Sequence, residues 1–343
     1  MSAFKFCLAA ALLTLAAGCA SPYVYRASPR PAVPALTAGY AIMDDGYRLP
    51  LLRREADGEP RAIILGVHGM NDYSRTFAGL GDYLAARGIT LVAYDQRGFG
   101  ATEGAGLWHG GRRMEQDLHT LVRLLRQRFP GPPLYVLGHS MGAAVVVAAE
   151  GLRPLDVDGV ILAAPAVLDR RYMPFYQRGL LSVLAHLVPA LRLDGSRLHV
   201  KASDNDAVLR ALHADPLVIK GTRIDAIYGM TRLIHEAAQA LPALRGPALL
   251  LYGARDEIIP AGAFCRLLQD MPDPRTLAWQ ALVYAEGHHL LLRDLQARRV
   301  WADIDRWVTA GGRGVELVQP PLRLDGRRFC SHRDGPGRLV TSQ

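Results

Sequence analysis

The chain has 343 residues, half of them hydrophobic, and a formal net charge of +8. This length and hydrophobic content suffice for a sizeable core in one large or two average domains. The charge rests almost wholly on arginine, because lysine occurs only at positions 5, 201 and 220. The arginines are scattered and form no basic helix with interleaved aromatic residues, so the composition disfavours a nucleic-acid partner.

Residues 1–18 have the pattern of a signal peptide. Lys5 supplies a short basic region, and residues 6–17 form an apolar run that is too short for a permanent membrane span. The run ends in LAAGC at residues 15–19, which resembles the bacterial lipobox, where a cysteine after small residues is lipidated. The resemblance implies a membrane anchor on Cys19. Since no aspartate follows Cys19, it further implies an outer-membrane lipoprotein of the bacterial cell envelope that faces the periplasm. An ordinary signal peptide, releasing a periplasmic or secreted protein, is the alternative.

Two flanking segments lack the periodicity of packed elements. Residues 19–39 are rich in proline, serine and alanine, which predicts an extended tether. Residues 310–343 are rich in glycine, arginine and proline, which predicts a disordered tail. Just after the tether, the turn sequence DDG at residues 44–46 separates two β-like runs, so a hairpin is expected over residues 40–53.

Strand and helix patterns alternate through most of the chain. Short apolar runs typical of buried strands lie at residues 62–67, 89–94, 134–137, 160–163, 248–252 and 277–284, and helical patterns lie at 76–87, 114–129, 143–150, 261–269 and 294–308. Such an alternation predicts an α/β fold with a mainly parallel sheet covered by helices on both faces. The core domain is therefore expected in two parts, residues 40–166 and 242–309.

The alternation is interrupted at residues 167–241. No convincing strand pattern occurs there, but residues 172–193, 206–214 and 224–241 have helical patterns with large apolar side chains. A helical insertion in an α/β domain is a candidate cap over a site at the carboxyl ends of the strands. Extra packing helices without a gating role are the alternative.

Two of the four cysteines belong to the folded part of the chain. Cys7 would leave with the signal peptide, and Cys19 is the candidate lipid site. Cys265 and Cys330 could form a disulfide in an oxidising compartment, but Cys265 lies in a helical pattern, which favours a buried, small apolar residue. No cysteine and histidine spacing is typical of a zinc site.

The sequence GHSMG at residues 138–142 is the strongest indication of chemistry. A hydrophobic strand pattern precedes it and a helix pattern follows it, which is the setting of a nucleophile elbow. Gly138 and Gly142 fit because a Cβ in so tight a turn would strike the strand or the helix. Ser140 is thereby predicted to be a nucleophile, held in a strained turn at a helix N-terminus.

A serine nucleophile needs a base and a carboxylate that orients the base. In this fold the acid follows the serine in the chain and precedes the histidine. Asp256 lies just past the strand pattern 248–252, where the acid is needed. Glu257 is the neighbouring alternative, and Asp270 and Asp273 are more remote ones.

The base is expected after the next strand, where His288 and His289 stand side by side. Gly287 frees the loop that must turn an imidazole inward. The local sequence alone does not separate the two histidines.

Residues from about 60 to 305 resemble the monoacylglycerol lipase and lysophospholipase branch of the α/β hydrolases. The resemblance is carried by HGM at 68–70, DQRGFG at 95–100, the elbow, Asp256, and a histidine followed by leucines and an acidic residue. In that family the histidine precedes an apolar run and a carboxylate, as His289 precedes Asp294. The resemblance therefore favours His289 over His288. One departure is Ala143, where the family often has a second glycine.

The resemblance also implies an oxyanion hole and the place of the cap. One donor is the backbone N–H of the residue after the nucleophile, here Met141, and the other is the N–H of Met70. His68 is expected to be a structural hydrogen-bonding residue, and residues 95–100 to shape a tight loop. The predicted helical insertion lies where the family has its cap.

These features predict a carboxylic ester hydrolase that works through an acyl-enzyme and needs no metal or other cofactor. The resemblance implies a lipid monoester, such as a monoacylglycerol or a lysophospholipid, as the substrate. A carboxylesterase for small soluble esters and an acyltransferase are alternatives. A tethered, non-catalytic lipid binder is a third, although a pure binder has no need of a complete triad.

Overall fold

A computed structural model describes residues 24–26, 30–194, 200–273, 276–314 and 323–331. Within these ranges no helix is both long and apolar enough to cross a bilayer. The expected signal peptide and Cys19 lie outside the described residues. Of the expected tether, residues 24–26 and 30–39 are described, and they contact the domain, contrary to the expectation: residues 35–36 pair with the strand at residues 40–42, and the Arg30 N–H donates to the carbonyl oxygen of Asp45 at 3.0 Å.

Ten of the twelve described strands form one sheet. In chain order the strands are β1 (Ala35–Leu36), β2 (Tyr40–Ile42), β3 (Arg48–Arg54), β4 (Ala62–Val67), β5 (Ile89–Tyr94), β6 (Leu134–His139), β7 (Gly159–Ala163), β8 (Arg192–Asp194), β9 (Gly221–Arg223), β10 (Ala248–Gly253), β11 (Trp279–Tyr284) and β12 (Arg323–Asp325). The spatial order is β1-β2-β3-β5-β4-β6-β7-β10-β11-β12. The pairs from β5 to β11 are parallel, whereas both ends of the sheet are antiparallel.

Nine described α-helices accompany the strands. They are α1 (Ala78–Ala85), α2 (Gly111–Arg128), α3 (Met141–Leu152), α4 (Phe175–Leu187), α5 (Asp206–Ala214), α6 (Ile224–Ala240), α7 (Ala261–Asp270), α8 (Ala297–Thr309) and α9 (Gly326–Ser331). Short 3-10 helices lie at Ser74–Phe77, Arg170–Tyr172 and Leu241–Ala243.

The core lies in two layers, one on each face of the sheet. Successive side chains of β4 alternate between them: Ile63 and Leu65 pack in the layer that includes residues of α2, α3, α6 and α7, and Ile64 packs with residues of α1 and α8. Every residue of β4 is buried, because both faces are covered. The predicted α/β fold with a mainly parallel sheet is confirmed.

The carboxyl-terminal segment differs from the expected disordered tail. Within residues 310–343, β12 pairs antiparallel with β11, and α9 follows it directly. The side chains of α9 contact the body of the domain, since the Arg327 guanidinium lies over the Trp279 ring and the Phe329 ring lies 6.1 Å from that of Tyr252. The prediction of disorder was wrong for residues 323–331, because a strand can pair through its backbone at the edge of a sheet without an apolar periodicity.

A disulfide ties this segment to the core. Cys265 of α7 and Cys330 of α9 are bonded, with Cα atoms 5.5 Å apart, and both residues are buried. The expectation that Cys265 is only a small apolar core residue was therefore incomplete. Sequence spacing could not show the pairing, because it depends on where β12 attaches.

Removal of this disulfide is expected to destabilise the fold. The bond joins positions 65 residues apart, and opening such a loop typically lowers the free energy of unfolding by about 2–5 kcal/mol. Urea unfolding of Cys330→Ser beside the parent protein would measure the loss. A reducing agent should lower the midpoint of the parent and leave that of the variant unchanged. Equal midpoints for the parent with and without reductant would contradict the prediction.

Glu150 in α3 is a buried carboxyl with incomplete hydrogen bonding. Its Oε1 accepts the Leu155 N–H at 3.3 Å, whereas Oε2 has no hydrogen-bond partner within the described ranges. Burial raises the pKa of Glu150 from 4.5 to about 7. The folded state therefore holds a proton that the unfolded state releases, so this group makes the fold less stable as the pH rises from about 4.5 to about 7.

Glu150→Gln is expected to raise the free energy of unfolding at pH 8 by about 1–2 kcal/mol, because a neutral amide avoids burying the charge. At pH 5 the gain should be smaller, since the folded state then keeps the carboxyl protonated. Urea unfolding at the two pH values would measure both. Glu236→Gln, at a half-exposed carboxylate of α6, is the matched control and should show no pH-dependent gain. An equal effect of Glu150→Gln at both pH values would refute this account.

The insertion between β7 and β10 is mainly helical, with α4, α5 and α6. The expectation that it contains no strand was wrong at two places, because β8 and β9 pair antiparallel as a separate two-stranded sheet. These strands have only three residues each, too few to show an alternating pattern. Helix α6 packs into the core layer of α3 through Leu233 and Ala237, so this part of the insertion is firmly attached.

Candidate active site

Ser140 lies in a sharp turn between a strand and a helix. β6 ends at His139 and α3 begins at Met141, so Ser140 stands at the carboxyl edge of the sheet and at a helix N-terminus. Its φ of 53° and ψ of −118° place a non-glycine residue in a strained region. The packing of β6 and α3 on either side holds this conformation.

Two glycines allow the close approach that the turn needs. A Cβ on Gly142 would lie 2.0 Å from the carbonyl oxygen of Val67, and one on Gly138 would lie 2.6 Å from the Cα of Ala143. Both distances are far below van der Waals contact. The small residues expected on both sides of Ser140 are therefore required by the backbone.

Ser140, Asp256 and His289 meet in one hydrogen-bonded chain. His289 Nε2 lies 3.0 Å from Ser140 Oγ, and His289 Nδ1 lies 2.8 Å from Asp256 Oδ2. Because a carboxylate can only accept, Nδ1 carries the proton and Nε2 is left to accept from the serine hydroxyl. All three residues are buried, with exposed fractions of 9%, 6% and 5% for the serine, aspartate and histidine.

The carboxylate of Asp256 is held by the backbone that follows it. Its Oδ1 accepts the N–H groups of Ile258 and Ile259, each at 2.8 Å. The second oxygen, Oδ2, is the one that faces His289. A carboxylate fixed in this way can orient the imidazole without moving itself.

The other acids that the sequence left open lie elsewhere. Glu257 is exposed, and its Oε2 accepts the Lys201 N–H at 2.7 Å. Asp270 ends α7, and Asp273 lies on the loop that leads into β11. Both therefore lie near the amino ends of the strands, whereas Ser140 lies at the carboxyl ends. The structure brings only Asp256 of these four to the histidine.

The two adjacent histidines have different surroundings. The His288 N–H donates to Asp294 Oδ2 at 2.7 Å, and the His288 ring Nδ1 lies 3.9 Å from the same oxygen. The ring of His288 thus faces Asp294, whereas that of His289 faces Ser140. This is the arrangement that the resemblance favoured.

His139 supports the loop of His289, a role that the sequence did not suggest although the residue lies in the elbow motif. His139 Nε2 donates to the carbonyl oxygen of His289 at 2.9 Å, and the two rings are 5.2 Å apart. Burial lowers the pKa of His139 to about 4, and the neighbouring His289 makes a smaller contribution in the same direction. His139 therefore stays neutral near pH 7 and does not compete for the proton of Ser140.

Segment 201–205, which precedes α5, also holds the histidine loop. The Leu290 N–H donates to the carbonyl oxygen of Ala202 at 2.8 Å, and Ser203 Oγ donates to Asp294 Oδ1 at 2.6 Å. Asn205 Nδ2 donates to the carbonyl oxygen of Arg293 at 3.1 Å. No local sequence pattern identifies these residues, because their partners in the histidine loop lie about 90 residues later in the chain.

The two residues that were expected to supply oxyanion donors, Met70 and Met141, lie in backbone segments next to Ser140. Met141 is the first residue of α3, so its N–H has no intrahelical acceptor and lies at the positive end of the helix dipole. Met70 follows Gly69, where an added Cβ would lie 3.1 Å from the Cβ of Ser140. The loop after β4 therefore passes directly beside the serine.

His68 holds that loop in place through Gln96. The Gln96 N–H donates to His68 Nε2 at 2.9 Å, and Gln96 Nε2 donates to the carbonyl oxygen of His68 at 2.7 Å. Within loop 95–100, the buried Arg97 forms ion pairs with Asp45 and Asp117. These contacts are structural, as the sequence suggested for both the histidine and the loop.

The insertion is anchored next to the candidate oxyanion hole. Asn71, which follows Met70, donates from Nδ2 to Thr222 Oγ1 at 2.7 Å and accepts the Ile219 N–H at 3.0 Å. Both partners belong to the insertion, one of them in β9. The insertion therefore contacts the residues that surround Ser140.

Known proteins resemble this chain in sequence and in fold. It is 27% identical to monoglyceride lipase of Homo sapiens over 311 residues, covering 86% of this chain and 98% of that protein. Identity to monoacylglycerol lipase of Mycolicibacterium smegmatis is also 27%, over 266 residues, covering 74% and 90%. A crystal structure of a soluble variant of monoglyceride lipase from Saccharomyces cerevisiae superposes with a TM-score of 0.66 at 20% identity, covering 85% of this chain and 99% of that one.

The family described as serine aminopeptidase S33 (Hydrolase_4) matches residues 58–296, well over half of the chain. The matched range contains the elbow, the loop after β4, the insertion and the loops of Asp256 and His289. The expected membership of the α/β hydrolases is thereby confirmed. The chain belongs to the Hydrolase_4 (serine aminopeptidase S33) family of α/β-hydrolase enzymes.

Proposed function

We propose that the protein hydrolyses lipid monoesters, such as monoacylglycerols or lysophospholipids, with Ser140 as the nucleophile, His289 as the base and Asp256 as the residue that orients the base. The observation that carries the proposal is the position of His289, which contacts the Ser140 hydroxyl with one ring nitrogen and Asp256 with the other. A pure lipid binder has no use for this arrangement in a strained turn.

The reaction proceeds in two halves. Ser140 Oγ attacks the ester carbonyl while its proton passes to His289 Nε2, and the N–H groups of Met70 and Met141 stabilise the oxyanion. The tetrahedral intermediate collapses when His289 returns the proton to the leaving alcohol, and an acyl-enzyme remains. Water then attacks the acyl-enzyme by the same route and releases the acid. Each oxyanion donor typically contributes about 3–4 kcal/mol to lowering the barrier.

A lipid substrate is supported by the outer surface of the cap. Helix α4 carries large apolar side chains that face solvent; their exposed fractions are 79% for Phe175, 62% for Tyr176, 59% for Leu180, 53% for Val183 and 58% for Leu187. Several large apolar side chains exposed on one helix are typical of a surface that contacts a membrane or another protein, and a membrane contact suits an enzyme for lipid esters. The names of the relatives, which are monoglyceride and monoacylglycerol lipases, support the same class of substrate.

We further propose a lipid anchor at Cys19 in the bacterial outer membrane. The lipobox-like LAAGC at residues 15–19 supports this location. The disulfide between Cys265 and Cys330 fits an oxidising compartment such as the periplasm. An anchor there would hold the cap beside a supply of lipid esters.

Hydrolysis assays with the full-length chain test the proposed substrate. Short and long p-nitrophenyl esters, a monoacylglycerol and a lysophospholipid would be compared, beside the folded Ser140→Ala variant. We expect release of fatty acid from the lipid monoesters by the parent only. A preference for short esters would indicate a carboxylesterase, cleavage of an aminoacyl-p-nitroanilide would indicate a peptidase, and ester formation with added alcohol would indicate an acyltransferase. Equal inactivity of parent and variant on every substrate would refute the proposed hydrolase.

Mass spectrometry of the mature N-terminus tests the anchor. The protein from its native envelope should begin at Cys19 and carry acyl chains, and it should partition into the membrane fraction. Cys19→Ser should lose both the acyl mass and the membrane fraction. A mature protein that starts after Cys19, or that carries no acyl mass, would contradict the anchor without affecting the proposed reaction.

A further inference from the structure

A second group of polar side chains lies at the histidine loop. It consists of Asp204, His288 and Asp294, and is here called the Asp204 cluster. Each residue offers one nitrogen or carboxylate oxygen, and these three atoms all lie within 4.8 Å of one another. Asp204 comes from segment 201–205, whereas His288 and Asp294 flank the turn after His289, so the cluster joins two segments that are distant in the chain.

One ring nitrogen of the histidine in this cluster is buried without a hydrogen-bond partner among the described residues. His288 is only 5% exposed, and its ring Nδ1 has no hydrogen-bond partner among the described residues. The carboxylate nearest to it, Asp294 Oδ2, is 3.9 Å away, which is too far for a hydrogen bond. A buried polar atom left in this way costs free energy unless another group satisfies it.

The two carboxylates are held towards the same point. Asp294 is buried and accepts the Ser203 hydroxyl at 2.6 Å and the His288 N–H at 2.7 Å, so its orientation is fixed. Asp204 Oδ1 accepts the Leu295 N–H at 2.9 Å, which keeps this side chain beside the loop. Two negative charges this close repel each other in a protein interior unless a cation lies between them.

We propose that Asp204, His288 and Asp294 form a binding site for a divalent transition-metal cation, with Zn²⁺ as the best match. An imidazole nitrogen with two carboxylate oxygens is a mixed donor set that zinc accepts, whereas Mg²⁺ prefers oxygen donors and water. Zinc bonds of about 2.0–2.2 Å put ligand atoms about 3–3.5 Å apart. Because the three atoms lie within 4.8 Å of one another, binding requires an inward shift of at most roughly 1.3–1.8 Å, which the partly exposed Asp204 side chain can make.

The site is separate from the proposed catalysis. No step of the ester hydrolysis uses any of its three residues as nucleophile, base or oxyanion donor. A bound cation would connect segment 201–205, which belongs to the insertion, with the loop that carries His289. We therefore expect zinc to stabilise the folded protein against heat, because a ligand that binds only the folded state raises the unfolding temperature.

Calorimetric titration with ZnCl₂ tests the site on the full-length chain, purified without a histidine tag and freed of metal. We expect one zinc ion per chain, and Mg²⁺ at the same concentration should not compete. Asp204→Asn keeps an acceptor for the Leu295 N–H but removes the charge, and it should weaken zinc binding at least about tenfold. His288→Gln should weaken it as much or more. If His288→Gln does not fold, Asp204→Asn still decides the question, since this residue is not fully buried.

Two control variants separate this site from other histidines. His213→Gln removes an exposed histidine near the end of α5, and His289→Gln removes the triad histidine; both should leave the affinity unchanged. The proposal is overturned if the parent shows no stoichiometric zinc binding, or if Asp204→Asn binds zinc as tightly as the parent. It is also overturned if only His289→Gln weakens binding, because the zinc would then lie at the triad. None of these readouts depends on ester hydrolysis, so the outcome is independent of the proposed function.

Discussion

Replacement of His289 by glutamine is expected to lower kcat for ester hydrolysis on the order of 10⁶-fold, the loss typical when the base of a serine triad is removed. Glutamine cannot take the proton from Ser140 Oγ, which lies 3.0 Å from His289 Nε2. Steady-state hydrolysis of a p-nitrophenyl ester would measure the loss. In the proposed mechanism Ser140 and His289 act as one unit, so adding Ser140→Ala to this variant should cost little more.

His288→Gln is the matched control for His289→Gln. It replaces the neighbouring histidine, whose ring faces Asp294 and not Ser140. In metal-free buffer it should lower kcat by no more than about tenfold, through small shifts of the shared loop. The assignment of the base would be wrong if His288→Gln lost as much activity as His289→Gln.

Asp256→Asn is expected to lower kcat about 10⁴-fold, the effect typical of an asparagine in the orienting position of a serine triad. The asparagine amide can donate to His289 Nδ1 and thus stabilise the tautomer that has its proton on Nε2. In that tautomer the ring cannot accept the proton of Ser140. The loss should appear in kcat with little change in KM, because Asp256 does not contact the substrate in the proposed mechanism.

Glu257→Gln is the control for the neighbouring acid. Glu257 is exposed and accepts the Lys201 N–H, which a glutamine oxygen can also do. Its kcat should stay within about threefold of the parent value, as is usual for an exposed side chain away from the reacting atoms. The two acids would have to be reassigned if Glu257→Gln lost more activity than Asp256→Asn.

The elbow was predictable because its requirements are local. The tight turn around Ser140 needs Gly138 and Gly142 at fixed positions, and the flanking strand and helix have clear periodicities. The structure explains the need for glycine, because a Cβ on Gly142 would lie only 2.0 Å from the Val67 carbonyl oxygen. The buried parallel strands were predictable in the same way, since strands covered on both faces are apolar along their whole length.

The acid and the base were only partly predictable. Chain order limited the acid to a few carboxylates after Ser140, and the adjacent His288 and His289 could not be separated without the family resemblance. What distinguishes the two histidines is the direction of each ring, which the packing of the whole loop determines. Nothing in the sequence indicated that His139, through its side chain, and Ala202, through its carbonyl oxygen, would hold the His289 loop.

By itself, the amino-acid sequence determined the α/β architecture, the tight turn that holds the proposed nucleophile and the insertion after β7, because these follow from local periodicity and from steric limits within a few residues. Only the tertiary structure decided that Cys265 bonds to Cys330, that residues 323–325 extend the sheet, and that Asp204 meets His288 and Asp294. These contacts join segments far apart in the chain. Their geometry depends on how the sheet and the cap pack as a whole, and no local pattern of residues encodes it.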